Sequence, residues 1–107
     1  MTELLEPWKS VLAERKAGLE RELARELSPE HTLAGHTVHA IAARCDCDDV
    51  LFEVPGIGYA VVHLSWPRER EHSPNYPTTH FFSSFEDWCE RRMKLDHRDY
   101  TLGDEST

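Results

Sequence analysis

Long apolar stretches are missing from this chain. No run approaches the roughly 20 residues that a membrane-spanning helix needs. The first seven residues, Met1-Thr2-Glu3-Leu4-Leu5-Glu6-Pro7, carry neither the basic region nor the apolar core of an export signal. Cysteine is scarce and odd in number: Cys45, Cys47 and Cys89 argue against a disulfide framework, and Cys45-x-Cys47 is not a Cys-x-x-Cys. The expectation is a protein of the reducing cytoplasm, with no membrane partner and with thiols that pack as small apolar groups. Basic residues are outnumbered, 12 Lys and Arg against 20 Asp and Glu in 107 residues, giving a formal net charge of −8. Such a chain is a poor partner for phosphate backbones, so no nucleic-acid ligand is expected.

Catalytic signatures are missing as well. Gly56-x-Gly58 lacks the third glycine and the following helix of a dinucleotide loop. There is no Gly-x-Ser-x-Gly and no His-Glu-x-x-His. His36-x-x-His39 with Cys45-x-Cys47 is the one pattern that suggests a metal. Residues three apart on a strand point to opposite faces, and His39 and Cys45 lie about 20 Å apart along it, so convergence on one ion is not expected. No cofactor is implied, and the reading leans away from an enzyme.

What is present is a globular composition, with 39% apolar and 30% charged residues, and a length that supports one hydrophobic core. A single domain over 1–107 follows, with a frayed polar tail over 101–107. A helix is predicted from about Pro7 to Leu27, with Trp8, Val11, Leu12, Leu19, Leu23 and Leu27 as its apolar stripe. The charge run from Glu20 to Glu26 reads as its solvated face. Ser28-Pro29 ends it. Strands follow at about Thr37–Cys45, Val50–Val54 and Tyr59–Trp66, with a short fourth at Thr79–Phe82. The turns between the first three are too short for parallel crossovers, which makes the sheet an antiparallel meander. Alternation places Val50, Phe52, Val54, Ala60, Val62, Leu64 and Trp66 on one apolar face. Leu51, Glu53, Tyr59, Val61, His63 and Ser65 fall on a mixed face. Ser83-x-x-Glu86 reads as a capping box opening a second helix, with Phe85, Trp88, Cys89 and Met93 as its stripe. The fold class is therefore α+β: N-terminal helix, three- to four-stranded antiparallel meander, C-terminal helix. Both helices are expected on the apolar face. A second copy of the chain would then cover the mixed face as a homodimer; the alternative is that one helix crosses to this face and leaves a monomer.

Asp48-Asp49-Val50-Leu51-Phe52-Glu53, Tyr59-Ala60-Val61-Val62-His63-Leu64-Ser65-Trp66, and Tyr76-Pro77-Thr78-Thr79-His80-Phe81-Phe82 leading into Ser84-Phe85-Glu86-Asp87-Trp88 together resemble a small family of bacterial single-domain proteins. The resemblance spans Asp48 to Trp88 and implies a bacterial cytoplasmic protein. It brings no activity and no site residue with it.

The candidate site residues come from the pattern alone. His63, on the mixed face, has Glu53 on the neighbouring strand as the carboxylate that would orient its ring for acid–base work. The connection over 67–78 gathers Arg68, Arg70 and Tyr76 just after Trp66, residue types that combine apolar area with directional donors at binding sites. Asp46, Asp48 and Asp49 form the densest acidic point, a turn that could dock onto a basic partner and that lacks the glycine and terminal glutamate of a calcium loop. Two functions are expected from these. The first is an acidic protein-binding module of inhibitor or immunity type. The second is a small enzyme or ligand-binding domain that uses His63 with the 67–78 loop. A concave pocket around His63 would favour the second, and a flat acidic surface the first.

Overall fold

The computed structural model describes residues 4–66 and 77–105. Its elements are β1 (Trp8–Ser10), α1 (Ala13–Glu26), β2 (His39–Arg44), β3 (Asp49–Val54), β4 (Gly58–His63) and β5 (Thr79–Phe82). A C-terminal helical run follows, formed by α2 (Phe85–Trp88), a π-helical turn (Cys89–Met93) and α3 (Lys94–Glu105). The five strands lie side by side in chain order, each antiparallel to the next. The fold is the α+β meander expected from the sequence, with five strands instead of three or four.

The additional strand comes from the N-terminus. Periodicity places Trp8 on a helix, but Trp8–Ser10 pairs with Ala42–Arg44 as β1, and the helix begins only at Ala13. Burial decides this. As a strand residue Trp8 is 1% exposed, with its ring edge-on to Trp88 at 5.1 Å and its indole N–H donating to Asp96 Oδ2 at 2.9 Å. An aromatic ring that fills a core and satisfies its polar atom outweighs the small helix propensity of a three-residue segment.

The predicted sheet faces hold for β3 and β4. Val50, Phe52, Val54, Ala60, Val62 and Leu64 pack with Leu19 and Leu23 of α1 and with Leu33. Leu51 and Val61 point the other way, into a second cluster with Trp8, Phe82, Trp88, Cys89 and Met93. The helices therefore do not share a face. α1 covers one side of the sheet and the C-terminal run covers the other, leaving Leu51 at 0% and Val61 at 2% exposure. The mixed face, assigned above to a second copy, is occupied by the chain itself, and the expected homodimer loses the patch that motivated it.

Two further expectations need correction. The charge run of α1 is not uniformly solvated, since Glu22 and Glu26 are buried. β4 stops at His63 instead of reaching Trp66. The burial of Glu26 and the end of β4 follow from one contact. Glu26 reaches across to accept hydrogen bonds from the Ser65 N–H and hydroxyl at 2.9 Å and from the Trp66 N–H at 3.0 Å. These donors would otherwise continue the strand. The chain turns there, with Trp66 at φ 51° and its side chain half-exposed, outside the core in which it was expected.

Candidate functional site

The β3–β4 register sets Asp49, the first residue of β3, directly opposite His63, the last of β4. Directly opposed side chains of an antiparallel pair have Cβ atoms about 5 Å apart, close enough for a carboxylate to reach an imidazole. Here the His63 Nδ1 and Asp49 Oδ1 atoms are 2.7 Å apart. An ionised carboxylate only accepts, so Nδ1 carries the proton and Nε2 of the neutral ring is left as an acceptor. Asp49 is 8% exposed as a residue, whereas the His63 side chain is 55% exposed. The imidazole is thus accessible and the carboxylate that it contacts is shielded.

A third element supplies Arg92. It lies in the π-helical turn, and its Nη2 donates to Asp49 Oδ2 at 2.8 Å while its Nε donates to Asp96 Oδ2, also at 2.8 Å. Asp96 also accepts from the Trp8 indole and has Arg44 Nη1 at 3.5 Å. Arg44 in turn grips Asp46 through both carboxylate oxygens at 2.8 Å each. That fork holds the Asp46 carboxyl below its usual range and raises the Arg44 guanidinium further above neutrality. A continuous chain of ion pairs and charge-assisted hydrogen bonds therefore runs from the surface turn at Asp46 to the ring of His63. Networks of this kind fix side-chain geometry even where single surface pairs contribute little to stability.

In front of His63 lies a concave cavity of about 250 Å³ lined by Asp49, Val61, His63, Thr78, His80 and Arg92. β5 completes it: His80 is opposite Val61, and the His63 N–H donates to the Thr78 carbonyl at 3.0 Å, so His80 belongs to the same sheet face as His63. A second cavity of about 340 Å³ lies elsewhere, lined mainly by Ala24, Leu27, Ser28, Pro29, Ala34, Gly35 and His36.

The sequence candidates separate in space. His63 is in the cavity. Glu53 is not its partner: the register sets Glu53 opposite Tyr59, whose hydroxyl is 3.5 Å from its carboxylate, four residues and about 13 Å along β3 from Asp49. Asp46, Asp48 and Asp49 do not form one acidic patch. Asp46 and Asp48 are exposed in the turn, while Asp49 is turned inward between His63 and Arg92. Trp66 is half-exposed at the end of the α1–Glu26 contact. Arg68, Arg70 and Tyr76 lie outside the described residues, as does most of the 67–78 loop.

Arg92 and His80 went unnoticed in the sequence. Arg92 had no signal, because a π turn changes which helix positions face the sheet and no local pattern announces it. His80 could have been found by extending the β4–β5 pairing by parity. Among the described residues, no group of three His, Cys, Asp or Glu side chains is placed to hold a metal ion, and His36, Cys45 and Cys47 are all exposed. No helix of the described residues is long and apolar enough to cross a membrane. Burial pushes the Cys47 and Cys89 thiols up, which disfavours the reactive thiolate form. Comparison with protein-family models, curated proteins and solved structures found no match, so the functional argument rests on this geometry.

Proposed function

We propose that this chain is a small ligand-binding domain in which His63, oriented by Asp49, exchanges a proton with the molecule held in front of it. The observation that carries this reading is the 2.7 Å contact between the exposed His63 ring and the shielded Asp49 carboxylate at the wall of a concave cavity. A fixed tautomer, an accessible Nε2 and room for a ligand are the geometric requirements of acid–base work. A screen of small polar molecules against the labelled protein by NMR tests it. At least one is expected to move the His63 and Thr78 resonances, and Asp49→Asn is expected to change the His63 ring tautomer and weaken that ligand. A screen in which no molecule perturbs these residues defeats the reading.

A second reading, an acidic protein-binding module of inhibitor or immunity type, is favoured by the net charge of −8 together with the half-exposed Trp66. Aromatic side chains are enriched among interface anchors, and charge complementarity steers a basic partner. Capture of a basic protein from the native host, released by salt and weakened by Trp66→Ala, supports it. Capture unaffected by Trp66→Ala rejects the anchor role. The free state of all three cysteines fits residence in a reducing cytoplasm.

A further inference from the structure

We propose that the cavity at His63 takes a small oxyanion, a phosphate or carboxylate group, and that binding draws protons onto the histidines that face it. This rests on the ligand-binding reading above and names the chemistry of the ligand. The argument starts from the polar atoms of the lining. Among the described residues of the lining, Asp49 is the one acidic side chain, and both its oxygens are used: Oδ1 by His63 and Oδ2 by Arg92. Its negative charge is therefore spent within the wall. The remaining groups are donors or become donors on protonation. Arg92 spends Nε on Asp96 and Nη2 on Asp49, and its Nη1 makes no hydrogen bond to a described residue. Thr78 offers a hydroxyl, and His63 and His80 offer ring nitrogens. With the two rings protonated, the wall presents Arg92, His63, His80 and Thr78 as donors and recognises a group rich in acceptors.

Charge decides when it does so. Among the described residues of the linked network around the cavity, Arg44 of β2 and Arg92 of the π turn stand against Asp46, Asp49 and Asp96, which leaves one net negative charge while His63 of β4 and His80 of β5 are neutral. Protonation of both histidines turns that into one net positive charge. An anion stabilises protonated rings, so anion binding and ring protonation promote each other, and affinity rises as pH falls. The net charge of −8 repels an extended polyanion, and the cavity of about 250 Å³ accommodates a small group, so a low-molecular-weight ligand is favoured over a nucleic acid.

The test uses the full-length isotope-labelled chain. Inorganic phosphate, acetate, methylguanidinium and methylurea are titrated separately at pH 5.5 and pH 8, with the His63 and His80 rings and the Arg92 side chain as reporters. The expected result is a saturable shift with phosphate or acetate at pH 5.5 that is about tenfold weaker at pH 8. The exposed His36, at the other cavity, is expected to stay still. His80→Ala, at an exposed position, is expected to lower affinity several-fold with the spectrum otherwise intact. A response to phosphate alone assigns the phosphoryl class, and one to both anions assigns oxyanions in general. If methylguanidinium or methylurea moves the reporters and neither anion does, the oxyanion proposal fails and the ligand-binding reading stands. If His36 shifts as much as His63, the binding is non-specific and the proposal is overturned. If nothing moves the reporters here or in the broader screen, both fall.

Discussion

Glu26 is a carboxylate with no exposed surface that receives three hydrogen bonds from the end of β4 and lies one helical turn from the buried Glu22. Burial pushes the Glu26 carboxyl up, and the bond it shares with Glu22 adds to this; the Ser65 and Trp66 donors pull it back only in part. Glu22 goes the other way. Burial would raise it, but the Arg25 hydrogen bond and the bond shared with Glu26 outweigh that. The folded state therefore holds a proton on Glu26 in a range where the unfolded chain, with its value of 4.5, has released it. This contribution to stability is complete below about pH 4.5 and is lost as pH rises through the raised value. Glu26→Gln is expected to flatten the fall of the denaturant midpoint as pH rises above 4.5, measured against wild type. The two tryptophans divide just as clearly. Trp88 is 0% exposed, so Trp88→Ala should cost about 3–5 kcal/mol. Trp66 is 49% exposed, so Trp66→Ala should cost about 1 kcal/mol or less. Chemical denaturation of both variants checks the contrast.

At the scale of elements, the C-terminal run opens on Ser84, one residue later than the Ser83-x-x-Glu86 pattern indicates. Its hydroxyl accepts from the Asp87 N–H at 3.0 Å, while Asp87 reaches back to the Ser83 N–H at 3.0 Å. The reciprocal logic of a capping box is kept with different members. Ser84→Ala should cost about 1 kcal/mol. Gly58, at the tip of the β3–β4 hairpin, has φ 132° and lies so close to β5 that an added Cβ would meet the Phe82 carbonyl oxygen at 2.5 Å. Gly58→Ala should lower stability by about 2–3 kcal/mol and disturb β4–β5 pairing, visible as lost amide protection over Thr79–Phe82. That pairing carries His80 into the cavity, so the same variant should also weaken any ligand of the site.

Over the whole molecule, one sheet is enclosed between two helical layers, and each sheet face owns a separate apolar cluster. Val61 is central to this arrangement because it belongs to the second cluster and also lines the cavity. If a second copy covered this face, Val61→Glu would separate a dimer into folded monomers. With the chain's own helix packed there, the substitution buries an unpaired charge and should cost several kcal/mol, unfolding the protein. Light scattering and circular dichroism of Val61→Glu separate the outcomes. Loss of structure agrees with the covered face, and a well-folded chain of half the wild-type mass would restore the dimer.

The strands β2 to β5, their antiparallel order and the two faces of β3 and β4 were legible in the sequence. A period of two over Val50–Val54 and Tyr59–Leu64 leaves a half-buried strand few other choices, and turns of a few residues admit only a meander. His63 was legible as a candidate for the same reason. Its partner was not: Asp49 and Glu53 share parity on one strand, and the choice between them depends on which residue of β3 faces His63, a matter of hairpin register. Long-range contacts decided the rest. Trp8 became a strand residue because the far side of the sheet needed a large ring beside Trp88. β4 ended where Glu26 captured its last donors. The C-terminal helix crossed to the mixed face and brought Arg92 to Asp49 across 43 residues of sequence. Local periodicity records which side of an element is apolar. It does not record what comes to lie against that side, because a packing partner is chosen by the whole chain at once.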